Sequence, residues 1–96
     1  MAVGVLALLK AQPERAEELG RFLADGRDLV LEESETVTWH AFRVDAETYG
    51  VFDTFEDEAG RQAHMSGELA ARLGEAAAEL LAAEPEVSFV EIIAAK

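Results

Sequence analysis

Two histidines, His40 and His64, are the only imidazoles in this chain of 96 residues, and no cysteine accompanies them. Imidazole is the side chain best suited to moving a proton near neutral pH, so the chemistry open to the chain depends on what these two rings face. His40 lies within Thr36 to Glu56, TVTWHAFRVDAETYGVFDTFE. Both halves of that stretch are rich in β-branched and aromatic residues, and the polar Asp45-Ala46-Glu47 between them marks a β-hairpin. A two- or four-residue loop centred on Ala46 and Glu47 puts Val44 opposite Tyr49, Phe42 opposite Val51, His40 opposite Asp53 and Thr38 opposite Phe55. A carboxylate opposite an imidazole orients the ring and raises its basicity, as a general base requires. The same pair also reads as a polar contact at a sheet end or dimer interface. A slip of one residue in the turn exchanges every one of these pairings.

His64 follows Arg61 by three residues, which places both on one side of a short helix. In a catalytic reading His64 closes the pocket; in a structural one it satisfies helix-end carbonyls or a dimer contact. Arg61 either holds an acidic substrate or answers the carboxylates around it. The aromatics Trp39, Phe42, Tyr49, Phe52, Phe55 and Phe89 suit core or interface, and Tyr49 and Phe55 are expected to line the pocket. Glu56-Asp57-Glu58 is no metal cluster, because three consecutive carboxylates point in different directions and fit a solvated helix start. With cysteine absent, disulfides, thiolate metal sites and a cysteine nucleophile are excluded.

The elements that must position these residues follow from hydropathy patterning. Val3 to Lys10 is apolar on both parities, as in a strand covered on both faces. Gln12-Pro13-Glu14 opens a helix, with proline at the first turn and Glu14, Glu17 and Glu18 at the positive end of the dipole. Leu19, Phe22, Leu23, Leu29 and Val30 form its apolar stripe, and it ends near Val30 or Leu31. After the hairpin, Asp57 suits an N-cap for a short helix, and Ser66 suits a cap for a further helical segment carrying Leu69, Leu73, Ala76, Ala77, Leu80 and Leu81. Ala82-Ala83-Glu84-Pro85 ends that segment. Val87 to Ala95 is expected as a last strand, giving the order βαββαβ.

Right-handed crossovers turn that order into a four-stranded antiparallel sheet with the helices on one face. Residues 1–96 then form one α+β, ferredoxin-like domain, and the second face of its sheet is left bare. Each large side chain stranded there forgoes roughly 1.5 to 3 kcal/mol, so a two-fold homodimer packed sheet to sheet is expected. A net charge of −12 argues against nucleic acid and anionic membrane surfaces as partners. The first apolar run has no basic flank and is too short for a bilayer span. Together with the missing cysteines, this suits a cytoplasmic protein. An RNA-recognition domain of the same order needs basic residues absent here, a metal-transfer domain needs paired cysteines, and an amino-acid-binding regulatory domain usually has a glycine turn where this chain has Ala11-Gln12-Pro13.

Phe52-Asp53-Thr54-Phe55-Glu56-Asp57-Glu58-Ala59-Gly60-Arg61-Gln62-Ala63-His64-Met65-Ser66-Gly67 resembles the antibiotic biosynthesis monooxygenase family of dimeric α+β barrel proteins. In that family a third strand ends in an aromatic and an acidic pair, followed by a short helix ending in His and an aliphatic residue, then Ser. LLKAQPERAEEL is similar to its first strand and helix, and Trp39-His40-Ala41-Phe42-Arg43 sits where its second strand lies. The resemblance implies a pocket between sheet and helices and, in some members, oxidation of phenols or hydroquinones by O₂ without metal or flavin. It implies no cofactor and a small aromatic or quinol-like substrate. His40, Asp53 and His64 are the catalytic candidates, with Tyr49, Phe55 and Arg61 the ligand-binding ones. The family's haem-degrading branch fits less well: this chain has no Asn, Phe55 at the place of a Trp and Leu73 near the place of a His. The alternative is a binding or dimerisation domain of the same fold without chemistry, a reading favoured by the scarcity of convergent polar groups.

Overall fold

A computed structural model of the protein describes residues 2–96. Strand β1 (Val3–Lys10) leads through a 3-10 turn at Pro13–Arg15 into helix α1 (Ala16–Val30). Strands β2 (Thr36–Arg43) and β3 (Thr48–Phe55) form the hairpin. Helices α2 (Glu58–Met65) and α3 (Glu68–Leu80) precede strand β4 (Glu86–Glu91). The sheet order is β2-β3-β1-β4, with every neighbouring pair antiparallel. This is the ferredoxin-like α+β arrangement. Among the described residues no helix is long and apolar enough to cross a membrane.

The core forms where the odd-numbered residues of β1 meet α1. Val5 and Leu9 are buried, opposite Asp53 and Tyr49 of β3. Above them Ala16, Leu19, Leu23, Gly26 and Val30 recur at spacings of three and four, so the buried positions of α1 make one continuous stripe. Phe22 is only partly buried and packs on the edge of this cluster. In α3, Leu69 and Leu80 are buried, whereas Leu73, Ala76 and Ala77 between them are only partly so. The middle of α3 packs on the core cluster through these three, and Leu73 and Ala77 also border a cavity.

Two helix ends behave differently from one another. Asp57 caps α2 as expected, its Oδ1 accepting a hydrogen bond from the Gly60 amide at 2.9 Å. Ser66 does not cap α3; its hydroxyl donates backward to the Gln62 carbonyl at 3.0 Å, and Gly67 holds the N-cap position without a side-chain bond. Strand β4 also stops earlier than the apolar run suggests, at Glu91. Beyond it the chain retains one sheet-like bond, from the Ile92 amide to the Ala2 carbonyl.

The hairpin register corrects the sequence expectation by one residue. Thr38 pairs with Thr54, Trp39 with Asp53, His40 with Phe52, Ala41 with Val51, Phe42 with Gly50 and Arg43 with Tyr49. The cause is an odd loop: the Val44 amide bonds to the Thr48 carbonyl at 2.8 Å, so Asp45-Ala46-Glu47 form a three-residue connection. Asp45 Oδ1 accepts from the Glu47 amide at 3.0 Å and holds that turn closed. At the far end Thr36 pairs with Phe55, leaving Val37 as the extra residue of a bulge. His40 is therefore exposed on the face away from the helices, and Trp39 takes the place expected for it beside Asp53.

Candidate functional site

Asp53 points from the middle of the sheet toward the helices and is 1% exposed. Its Oδ2 lies 3.0 Å from His64 Nε2. The other ring nitrogen, Nδ1, lies 2.6 Å from Glu33 Oε1. Each member comes from a different element. Asp53 is held by β3. His64 is carried on the last turn of α2, and Phe55 supports its ring from below, with centroids 5.3 Å apart. Glu33 is fixed in the turn after α1, where its amide bonds to the Val30 carbonyl and its carboxylate accepts from the Thr36 hydroxyl at 2.6 Å.

Burial pushes the His64 pKa down, but hydrogen bonds from the ring to Asp53 and Glu33, with their charges, more than compensate and raise it to about 9. The ring is therefore an imidazolium at neutral pH. An imidazolium has no lone pair to accept a proton, so the free acceptor here is not the histidine. It is Asp53 Oδ1, which is buried and has no hydrogen-bond partner.

Asp53 is one of the residues that line a cavity of about 250 Å³ between the sheet and α3. Val5, Ala7 and Val51 form its floor, Leu69, Leu73 and Ala77 its roof, and Trp39, Asp53, His64 and Met65 line it as well. Apart from Asp53, His64 and the indole of Trp39, the side chains around it are apolar. The Trp39 Nε1 is also buried without a partner. Among the described residues no group of three or more His, Asp or Glu side chains is placed to hold a metal ion. The two carboxylates on His64 occupy opposite sides of its ring and do not converge on one point.

The structure separates the six sequence candidates. Asp53 and His64 meet at the cavity, while His40 lies on the opposite face because of the register. Phe55 is fully buried behind His64 and has no cavity surface. Tyr49 is buried against Gly20 of α1, with the Arg43 guanidinium 5.1 Å from its ring centroid. Arg61 turns away from the cavity: its Nη1 donates to the Gly4 carbonyl at 3.1 Å and to that of Val90 at 3.3 Å, and the guanidinium pairs with Glu58 and stacks over Phe89. It ties β1 and β4 to α2.

Two residues at the site were not singled out by their chemistry in the sequence. Trp39 had a signal, since an odd hairpin loop places it opposite Asp53. Glu33 had none, because nothing local distinguishes it from Glu32 or Glu35, and its partner lies 31 residues away.

No protein-family model matches the chain, and no curated protein matches it. Solved structures do. The NE2512 protein of unknown function from Nitrosomonas europaea is 43% identical, with 99% of this chain and 92% of that one covered and a TM-score of 0.97. A protein from Caulobacter crescentus described as a candidate antibiotic biosynthesis monooxygenase is 20% identical, covering 97% and 91% of the two chains with a TM-score of 0.84. A structure described as an antibiotic biosynthesis monooxygenase is 15% identical, covering 96% and 99% with a TM-score of 0.83. The chain therefore belongs to one family with the Nitrosomonas europaea protein, and that family is antibiotic biosynthesis monooxygenase-like in its fold.

Proposed function

We propose that the protein is a cofactor-independent monooxygenase that oxidises a small phenol or hydroquinone bound in the cavity under α3. The observation that carries this reading is Asp53, a buried carboxylate with one oxygen unpartnered, among the residues that line an otherwise apolar cavity. An electron-rich phenol reduces O₂ directly once its proton has an acceptor. As an electron leaves the ring the phenolic O–H becomes far more acidic, and Asp53 takes the proton at that moment. For a phenol with a free ring position, one C–H and the O–H bond break and one oxygen atom joins carbon. The other oxygen atom leaves as water with both hydrogens, and the product is a quinone. His64 contributes by holding Asp53 in place and by its positive charge, which favours the anion that O₂ becomes on accepting the electron. The apolar walls exclude water and orient the ring.

The working unit in this reading is a homodimer joined through the uncovered sheet face, with one cavity per protomer on the opposite side. The test is oxygen uptake with a panel of hydroquinones and phenols, without added metal or flavin. Asp53→Asn is expected to lower the rate by about 100-fold or more, the usual loss on removing a proton acceptor. Equal rates for wild type and Asp53→Asn reject the assignment. A second reading, a binding domain without chemistry, is favoured by the small number of polar groups on the cavity wall. Saturable binding of the panel without oxygen uptake would establish it.

A further inference from the structure

Asp53 Oδ1 and Trp39 Nε1 are both removed from water with nothing bonded to them. The two residues are cross-strand partners and both line the cavity, so a side chain with a free acceptor and one with a free donor are neighbours on one wall. Leaving a buried polar atom unpaired is costly, and a ligand that supplies the missing bond removes the cost. A hydroxyl is the smallest neutral group that can donate to a carboxylate and accept from an indole N–H at once.

The charge of the site restricts the ligand further. A carboxylate oxygen sits 3.0 Å from one nitrogen of His64 and another sits 2.6 Å from the second. Carboxylates only accept, and a neutral imidazole has a single N–H, so two such contacts require two protons among the three groups. With two protons Glu33, His64 and Asp53 carry one net negative charge, whichever atom holds the second. In a cavity with apolar walls that charge is poorly screened and repels an anion. The charge of −12 on the whole chain has the same sign. Arg61, the cation nearest in sequence to the site, is committed to backbone carbonyls and Glu58.

We infer that the cavity selects neutral aryl alcohols of one or two fused rings. Their hydroxyl bridges Asp53 Oδ1 and Trp39 Nε1, and the Glu33–His64–Asp53 cluster rejects aryl carboxylates of the same shape. This rests on the cavity being the ligand site proposed above. The size fits: an engineered apolar cavity of about 150 Å³ takes benzene, so the 250 Å³ here has room for a second ring.

Calorimetric titration under nitrogen, where no oxidation can occur, tests this with four probes: 2-naphthol, naphthalene, 2-methoxynaphthalene and 2-naphthoate. Naphthol is expected to bind about tenfold or more tightly than each of the others, in keeping with the loss when a buried acceptor goes unpaired or meets a like charge. Asp53→Asn should bring naphthol and naphthoate to within about threefold of each other, since the cluster then carries no net charge. Trp39→Phe should weaken naphthol and methoxynaphthalene and leave naphthalene unchanged. Circular dichroism of both variants shows whether they are folded, and Glu33→Gln provides a second route to the neutral cluster if Asp53→Asn is not. Naphthoate binding as tightly as naphthol, naphthalene doing so, or no probe binding at all overturns the inference. Selective binding of naphthol with no oxygen uptake in air upholds it while removing the oxygenase reading. Uptake driven equally by carboxylated phenols does the reverse.

Discussion

His64 makes the strongest electrostatic prediction because both of its nitrogens are engaged. Its pKa in the folded protein is raised to about 9, against about 6.5 in an unfolded chain. Between these values the folded protein binds a proton that the unfolded chain has released. The stabilisation is complete below pH 6.5 and is lost as the pH rises through 9. Its upper bound is about 3 kcal/mol, reduced by whatever solvent screening reaches the pair. Urea unfolding at a series of pH values should show wild-type stability falling across this window, and His64→Gln should lose that component of the slope. Parallel profiles for the two proteins would sink the claim that the ring is held as a cation. The same charge explains why the histidine was legible in the sequence while its role was not. A histidine ending a short helix is visible in the pattern Arg61-Gln62-Ala63-His64, but the two carboxylates that turn it from a base into a cation arrive from a distant turn and strand.

At the scale of elements, alternation showed which residues of a strand share a face but not which face the helices cover, and cross-strand pairing failed where a turn had to be counted. The set Tyr49, Val51, Asp53 and Phe55 does share the helix-facing side of β3, as alternation requires. The β2 set was exchanged because Asp45-Ala46-Glu47 reads equally well as an even or an odd loop, and the Asp45 side chain closes the odd one. Helix α1 was legible in its extent and in Leu19, Leu23 and Val30, because proline and acidic residues mark its approach, but the buried Ala16 and Gly26 were not, and Phe22 and Leu29 of the expected stripe are only partly buried. The cavity was not legible, because its lining is drawn from strands and helices far apart in the chain. Two glycines test the packing of these elements with opposite signs. A Cβ on Gly4 would lie 2.8 Å from the Asp53 backbone carbonyl, which the sheet holds rigid, whereas one on Gly74 of α3 would meet nothing within 4 Å. Gly4→Ala should destabilise by about 1 to 3 kcal/mol through overpacking. Gly74→Ala should stabilise by up to about 1 kcal/mol through helix propensity. Urea midpoints moving in the same direction for both would contradict this account of how β1, β3 and α3 are packed.

At the scale of the molecule, the helices cover one face of the sheet and leave the other to water. On the bare side the even-numbered residues of β1, Leu6 and Leu8, stand beside Phe52 of β3, Val90 of β4 and Phe42 of β2. Phe42 is 37% exposed and the other four are partly buried by one another. Fully hiding a side chain of this size is worth roughly 1.5 to 3 kcal/mol, so even partial cover of five is comparable to the 5 to 15 kcal/mol that holds a small domain folded. The patch is an apolar centre rimmed by Thr38, His40, Thr54 and Ser88, the composition that suits an interface. A second copy of this sheet supplies a matching apolar face, and a two-fold axis closes the assembly without leaving a further sticky surface. Sedimentation at micromolar concentration should therefore give a species of twice the 10.4 kDa chain mass. Phe52→Glu places a charge at the centre of that contact and should yield the single chain. Its side chain lies on the face away from α1, so the fold should survive with unchanged far-ultraviolet circular dichroism. A wild type that sediments as one chain, or a Phe52→Glu variant that stays paired, would show that this face is not what joins the protomers.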